Sequence, residues 1–231
     1  MEISNRLKAV VDFIAFDSLA DVGTDHGYVP IYAVEIGKIT KAIACDMRPG
    51  PLSRAKANIQ SRSLEAFIET RQGSGLSPIM PGEVKTAVIA GMGGILICDI
   101  LTEGQTLLSY LSQLVLQSQS DVPMVREKIH TLSWRIADER IVKEEGKYYN
   151  IFDCRPGCEA AYSEREILLG KTLIERRDYM LADYIINRVE KLMSIKNRIL
   201  NNGGKAAEIR LNEIDRELEL LRCEGNHYKC P

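Results

Sequence analysis

Residues 21–28 read Asp-Val-Gly-Thr-Asp-His-Gly-Tyr, and this segment is the strongest indication of the fold class. The apolar residues from Leu19 to Val22 predict a short strand that runs through glycines into a helix, which is the opening unit of a doubly wound α/β sheet. A dinucleotide-binding turn needs the pattern G-x-G-x-x-G, but Asp25 and Tyr28 stand at the second and third glycine positions. A carboxylate there repels phosphate, so the turn favours a ligand that carries positive charge and no phosphate.

Strands alternate with helices over the first 150 residues or so. This alternation predicts a mostly parallel, Rossmann-like sheet with helices on both faces, closed by an antiparallel hairpin. Such a closing hairpin is typical of the seven-stranded class I methyltransferase fold, by fold-level analogy. The predicted strands are 19–22, 41–46, 67–70, 84–90, 114–116, 135–142 and 148–154, and the predicted helices are 5–16, 28–36, 49–62, one from 94, and 122–132.

The strand pattern ends near Ser163, and helical spacing takes over. One apolar stripe comprises Ile185, Val189, Leu192 and Ile199, and a second comprises Ala207, Leu211, Ile214, Leu218 and Leu221. With a reversal at 201–204, these stripes predict an antiparallel coiled-coil hairpin and a mobile polar tail from Arg222. A dimerising coiled coil is the alternative use of the same stripes. The expected domains are therefore 1–160 and 161–231.

Composition and charge indicate an ordinary soluble protein. Of 231 residues, 45% are hydrophobic and 27% charged, and no apolar run approaches the ~20 residues of a membrane span. Because the N-terminus lacks the pattern of a signal peptide, a cytoplasmic location without membrane attachment is expected. The net charge is −2, but residues 170–205 carry eight basic and four acidic side chains. This window suits either a polyanionic partner or a solvated face with ion pairs. Its basic residues are Lys171, Arg176, Arg177, Arg188, Lys191, Lys196, Arg198 and Lys205.

The six cysteines are scattered. Cys45 and Cys98 lie in apolar segments, where a reduced thiol packs as a small hydrophobe. Cys154 and Cys158 have the wrong spacing for a C-x-x-C zinc or redox motif. No metal site is expected.

S-adenosylmethionine meets the requirement set by the first turn. It has an ammonium and a sulfonium group and no phosphate, so Asp21 and Asp25 would attract it. Asp46 ends the second predicted strand about 20 residues beyond Gly27, where an acid can accept the ribose hydroxyl protons of an adenosine moiety. The alternative is a tight strand-to-helix turn in which Asp25 caps the helix.

Glycine-rich segments follow the third and fourth predicted strands. Residues 72–76 include Gly73, Ser74 and Gly75 and lie where the adenine of such a cofactor usually binds, although a plain loop is the commoner meaning. In residues 88–94, glycines around Met92 leave room for a flat base beside the methyl donor. The Asn/Asp-Pro-Pro-aromatic loop of exocyclic-amine methyltransferases is absent here, which favours a ring nitrogen as the acceptor. Residues 116–119 follow the fifth strand and offer either amide contacts to the acceptor or a surface loop.

Several segments together resemble one family, the bacterial TrmK-type tRNA adenine-N1 methyltransferases. They are DVGTDHGYVPI (21–31), CDMRPGPLSRAKANI (45–59), RQGSGL (71–76), VIAGMGG (88–94), LQSQ (116–119) and EEGKYYNI (144–151). The resemblance implies a Rossmann-like catalytic domain with a C-terminal coiled-coil hairpin, and methylation by S-adenosylmethionine of N1 of adenine 22 in tRNA. This sequence departs from the family at Ser74, where an acid is usual, and at Ser118, where a proline is usual.

The residues and the resemblance together give the following expectations. Asp25 stabilises the positive charge that develops on the purine, His26 contacts the base, and Met92 shapes the base pocket. The protein is expected to bind tRNA as a monomer or weak dimer. A degenerate methyltransferase fold with a binding or regulatory role, and a small-molecule methyltransferase, remain as alternatives. The cofactor is expected to bind at Asp21, Gly23, Thr24, Asp25, Gly27, Asp46, Met47, Gly73, Ser74, Gly75, Ala90 and Gly91.

Overall fold

The computed structural model describes residues 2–202 and 207–227. The chain divides into two compact units, Met1–Ala161 and Tyr162–Pro231. Among the described residues, no helix has both the length and the apolar character needed to cross a membrane.

Within the described part of the chain, seven strands of the first unit form one sheet in the order β3-β2-β1-β4-β5-β7-β6. The pairs among β1 to β5 are parallel, and β7 runs antiparallel to both β5 and β6. The predicted fold class is therefore confirmed. The strands are β1 Ser18–Val22, β2 Lys41–Asp46, β3 Ile68–Gln72, β4 Thr86–Met92, β5 Gln113–Ser118, β6 Trp134–Glu144 and β7 Lys147–Pro156.

Helices cover both faces of this sheet, which is why its central strands are continuously apolar. Leu19, Ile43, Ile89 and Leu116, on four neighbouring strands, are all completely buried. The helices of the first unit are α1 Asn5–Phe13, α2 Tyr28–Glu35, α3 Pro49–Gln60, α4 Gly94–Glu103, α5 Gln105–Leu108 and α6 Val122–Thr131. Pro49 opens α3, where its missing amide hydrogen has no helical partner to lose.

A buried ion pair joins α6 to the antiparallel end of the sheet. Arg126 and Glu139 are almost completely buried and bond to each other, and Asn150 Nδ2 donates to Glu139 Oε1 over 3.1 Å. The Arg126 guanidinium also lies 5.6 Å from the centre of the Phe152 ring. A charge this deep depends on its partner, so the pair fixes how α6 packs on β6 and β7.

The second unit contains the helical hairpin expected from the apolar stripes. Its helices are α7 Glu164–Leu169, α8 Lys171–Glu175, α9 Tyr179–Asn202 and α10 Ala207–His227. The stripes bury Ile185 and Leu192 of α9 together with Leu218 and Leu221 of α10. Arg188 binds Glu217 through two bonds of 2.6 and 3.0 Å, and Lys196 pairs with Asp215, so α9 and α10 run antiparallel.

Some expectations for this region need correction. The prediction of a mobile polar tail that begins at Arg222 is wrong, because α10 continues to His227. Buried Leu221 and the ion pair of buried Glu224 with Arg165, at 3.3 Å, hold this last part of the helix. The short helices α7 and α8 were not predicted, although Ser163 and Glu166 form a capping box. Residues 203–206, which include most of the predicted reversal and Lys205, lie outside the described residues.

The thiols of Cys45, Cys98, Cys154, Cys158 and Cys223 are free. Cys45 is buried as expected, whereas Cys98 is only half-buried. Burial raises the pKa of the Cys45 thiol to about 12, which keeps it protonated and unreactive. Among residues 2–202 and 207–227, no group of three or more His, Cys, Asp or Glu side chains is arranged to hold a metal ion.

Candidate active site

A cleft of about 980 Å³ opens at the carboxyl ends of β1, β2 and β4. This is the edge of an open α/β sheet at which ligands bind. Gly27 does not line the cleft; it has φ 73° at the start of α2, and a Cβ there would lie 3.4 Å from Ala55. The other predicted site residues all line it: Asp21, Gly23, Thr24, Asp25, His26, Asp46, Met47, Gly73, Ser74, Gly75, Ala90, Gly91 and Met92.

The first turn is fixed by the neighbouring strand and needs glycine. The amide nitrogens of Gly23 and Thr24 both donate to the Cys45 carbonyl over 2.8 Å. Gly23 has φ 73°, and a Cβ at this position would lie 2.2 Å from Met92 Cε. The turn after β1 and the turn after β4 therefore meet where Met92 crosses Gly23, which places the predicted cofactor and base residues side by side.

Buried carboxylates form the floor of the cleft. Asp21 and Asp46 are each only 4% exposed, and Thr24 Oγ1 donates to Asp21 Oδ2 over 2.5 Å. Burial raises the pKa of Asp21 to about 6; the Thr24 hydrogen bond opposes this rise, and the charge of Asp46 adds to it. Asp46 accepts hydrogen bonds from the amides of Arg48, over 2.9 Å, and Asp25, over 3.4 Å. A cation bound here would relieve the repulsion between the carboxylates.

Asp25 and His26 stand at the mouth of the cleft. Asp25 has φ 49°, its side chain is 51% exposed, and Arg54 Nη2 donates to its Oδ1 over 2.8 Å. The rings of His26 and Tyr28 stack with centroids 5.1 Å apart and planes 10° apart. The mouth thus combines a partly neutralised carboxylate with an aromatic surface that sequence reasoning did not identify at Tyr28.

The loop after β3 borders the cleft on another side. A Cβ at Gly73 would lie 2.5 Å from Pro78 Cγ, so this backbone position has no room for a side chain. The Ser74 carbonyl accepts a hydrogen bond of 2.7 Å from the Ser77 hydroxyl. Exposed Met47 lies beside this loop, and its carbonyl accepts from Gln72 Nε2 over 3.2 Å. The loop therefore presents backbone groups and a serine hydroxyl to the cleft.

The remaining wall involves residues that the sequence did not single out as site residues. Arg6 of α1 and Glu144 at the end of β6 line the cleft. Arg6 Nη1 donates to Gln117 Oε1 over 2.6 Å, and Gln117 Oε1 also accepts from the Gly91 amide over 3.0 Å. Arg6 Nε lies 3.8 Å from Glu144 Oε2. No local pattern near Arg6 predicts this role, since it depends on α1 packing beside strands more than 100 residues away.

Comparison with known proteins agrees with this geometry. Residues 3–152 match the family described as "Methyltransferase domain". The tRNA (adenine(22)-N(1))-methyltransferase of Bacillus subtilis (strain 168) is 32% identical over 229 residues, which cover 96% of this chain and 96% of that protein. The chain belongs to the TrmK-type tRNA (adenine-22 N1)-methyltransferase family. The same family was indicated by the sequence motifs, and that prediction is confirmed.

Solved structures of TrmK-type proteins include complexes with the methyl donor and with its product. A Streptococcus pneumoniae protein solved with S-adenosyl-L-methionine has a TM-score of 0.86 and 29% identity, covering 97% of this chain and 100% of that one. TrmK of M. capricolum, solved with S-adenosyl-homocysteine, has a TM-score of 0.84 and 26% identity, covering 97% of this chain and 98% of that one. The cleft fits such a ligand, because its floor carries the buried carboxylates of Asp21 and Asp46 and its lining includes the bare backbone of Gly23 and Gly73.

Proposed function

We propose that this protein is an S-adenosylmethionine-dependent methyltransferase that modifies N1 of adenine 22 in tRNA. One observation carries the proposal: the first turn of a TrmK-type chain places the buried carboxylates of Asp21 and Asp46 in a cleft shared with the glycines around Met92. This arrangement favours a cationic nucleoside and disfavours a phosphate-bearing one. The alternatives of a degenerate binding protein and a small-molecule methyltransferase are tested below.

Asp21 and Asp46 would hold the cofactor, together with the backbone at Gly23, Gly73 and Gly91. When bound, S-adenosylmethionine would supply a methyl group on a positively charged sulfur: the N1 lone pair of adenine would bond to the methyl carbon, and the C–S electron pair would leave with sulfur as a neutral thioether. Asp46 would accept hydrogen bonds from the ribose hydroxyl groups, as the carboxylate after the second strand does in related folds. Asp21 would counter the positive charge of the ligand from the buried floor.

Neutral adenine already has a free lone pair at N1, so the protein has no proton to remove before attack. Its residues align the base and exclude water. Met92, lying across Gly23, would form the boundary between the methyl donor and the base. Asp25 would stabilise the positive charge that passes to the purine, and His26, stacked on Tyr28, would offer a surface for the unstacked base.

The ion pair of Asp25 with Arg54 gives this role a sharp test. Asp25→Asn is expected to lower kcat at least tenfold while tRNA binding stays unchanged, because the charge-stabilising group is lost. Arg54→Met is the matched variant: it removes the guanidinium that donates to Asp25 and leaves the carboxylate in place. Equal losses of kcat in both variants would show that the ion pair holds the turn together and that the carboxylate has no separate catalytic role.

The second unit offers a surface for the phosphate backbone. Three basic residues of the 170–205 window, namely Arg176, Arg188 and Lys196, are paired with carboxylates. Lys191 and Arg198 are exposed one heptad apart on α9, and neither makes an ion pair within the described ranges. A basic side chain without an ion pair can neutralise a phosphate and so release a counterion from the nucleic acid. Lys191 and Arg198 are therefore better docking candidates than the paired residues.

Charge reversal tests the docking surface. Lys191→Glu/Arg198→Glu is expected to weaken tRNA binding and to reduce the slope of log K against log salt by about 2, without changing affinity for S-adenosylmethionine. The matched control is Lys41→Glu/Lys85→Glu, which makes the same charge change at the strand ends away from the cleft. If both double variants lose the same affinity, net charge and not the α9 surface explains the effect.

Methyl transfer itself tests the proposed function. The purified protein is expected to move one labelled methyl group from S-adenosylmethionine to a tRNA, recovered as 1-methyladenosine at position 22. A tRNA with guanosine at position 22 should take up none. Failure to bind S-adenosylmethionine would favour the degenerate-fold alternative, and methylation of a small molecule at a rate unaffected by tRNA would favour the third class.

The remaining expectations belong to the same proposal. The protein would act without a metal ion. It would be a monomer or weak dimer, because the apolar stripes of α9 and α10 are buried against each other within one chain. A tRNA substrate agrees with a cytoplasmic location. Residues 1–160 would carry the methyl-transfer site and residues 161–231 the tRNA-docking hairpin.

A further inference from the structure

The cleft has a side that the proposed cofactor residues do not occupy. It lies at the ends of β4 and β5 and is lined by Arg6, Gly91, Gln119 and Glu144. The acceptor base has to reach the methyl donor from this side, since Asp21 and Asp46 occupy the ends of β1 and β2. The side chains here are therefore the ones placed to contact the acceptor base.

Gln119 is fixed at the backbone but its side chain is available. Its amide nitrogen donates to the Met92 carbonyl over 2.9 Å, which ties it to the turn that crosses Gly23. The side chain is exposed, and its amide forms no hydrogen bond with any other residue in the described ranges. Gln117, two residues earlier, is fully buried and holds the Gly91 amide and Arg6. One glutamine thus supports the loop, and the other presents a free amide to the cleft.

Gly91 leaves the backbone bare beside this free amide. This residue has φ 78° and no side chain, and a Cβ there would lie 3.8 Å from both Gln119 Nε2 and Arg6 Nη1. The Gln119 amide therefore lies within van der Waals reach of the space that a side chain at position 91 would occupy. The bare backbone lets a flat base approach the Gln119 amide closely, whereas a side chain at position 91 would be strained and would stand in the way of the base.

We propose that Gln119 recognises the acceptor adenine through its N6 and N7 atoms. A glutamine amide offers one acceptor and one donor side by side, which matches the N6 amine and the N7 lone pair of adenine. This contact leaves N1, on the other side of N6, free to face the methyl donor. Guanine presents acceptors at both O6 and N7, so the same amide cannot satisfy it. The assignment rests on the proposed function and adds the group that selects adenine.

The test uses a tRNA in which position 22 is 7-deazaadenosine. This base keeps N1 and N6 but lacks the N7 acceptor. The wild-type protein is expected to show about tenfold lower kcat/KM on it than on adenosine, the cost of one hydrogen bond and an unsatisfied donor. Gln119→Leu should be impaired on adenosine and should lose this discrimination, with a ratio near one. The dissociation constants of both tRNAs, measured without the methyl donor, should show the same pattern.

Gln60→Leu is the matched control, because Gln60 is exposed at the end of α3 and does not line the cleft. Gln60→Leu should keep the wild-type ratio of kcat/KM between the adenosine and 7-deazaadenosine tRNAs. Equal kcat/KM of the wild-type protein for the two tRNAs, or an unchanged ratio in Gln119→Leu, would overturn the assignment. A wild-type protein that methylates neither tRNA would instead refute the proposed function, so the two failures are distinguishable.

Discussion

Replacing Asp21 by asparagine should stabilise the protein in the absence of ligand. The fold raises the pKa of this buried carboxyl from 3.8 to about 6, so ionised Asp21 destabilises the folded state above that pH. The folded protein favours the protonated form of Asp21. The stability that this form contributes is fully present below pH 3.8 and is lost as the pH rises through 6. At pH 8 the separation of the two pKa values lowers the free energy of unfolding by roughly 3 kcal/mol. Asparagine keeps an oxygen that can accept the Thr24 hydroxyl and carries no charge.

Differential scanning calorimetry of the ligand-free protein measures this effect. For a chain of this size, roughly 3 kcal/mol corresponds to a rise in Tm of about 6–12 °C at pH 8. The difference between Asp21→Asn and wild type should fall to about half at pH 5 and to about a fifth at pH 4. Asp99→Asn is the control, since Asp99 is an exposed carboxylate on α4 and should show no such trend. A variant no more stable than wild type at pH 8, or a difference that does not shrink in acid, would refute the reasoning.

Other predictions concern the same unit. Affinity for S-adenosylmethionine should be about tenfold lower at pH 5 than at pH 7.5, because Asp21 is then mostly protonated and uncharged; calorimetric titration at both pH values would show this, and equal affinities would contradict it. Gly23→Ala should lower the free energy of unfolding by about 1–2 kcal/mol, since φ 73° strains alanine and Met92 must move, and an unchanged urea midpoint would exclude this strain. Arg126→Met should lower the free energy of unfolding by about 3–5 kcal/mol, because it removes the guanidinium that neutralises the buried Glu139 carboxylate. Arg126→Met/Glu139→Gln should recover part of this loss in the same urea titration, and a single variant as stable as wild type would contradict this account.

The sequence was informative wherever local chemistry decides the structure. The bounds predicted for β2, residues 41–46, are those observed, because a buried parallel strand is a continuous apolar run between a charged start and an acid at its end. The β4 strand was predicted to end at Ala90 but reaches Met92, since a register shift between Ala90 and Met92 lets pairing with β5 continue past Gly91. Local propensity does not reveal such a bulge.

Tertiary contacts account for what the sequence did not show. Asp21 and Asp25 are both aspartates of the first turn, yet Asp21 is buried with a raised pKa, whereas Asp25 is half-exposed and paired with Arg54. Arg6 joins the cleft only because α1 packs near β5 and β6. Which basic residues of the hairpin are already paired, as Arg188 is with Glu217, likewise depends on the partner helix.

The central claim is that an acidic first turn holds a cationic methyl donor. The most direct measurement is calorimetric titration of the purified protein with S-adenosylmethionine and, separately, with NAD. One S-adenosylmethionine should bind per chain, with affinity lost in Asp21→Asn, and NAD should give no binding heat. Binding of NAD, or no binding of S-adenosylmethionine at neutral pH, would contradict the claim.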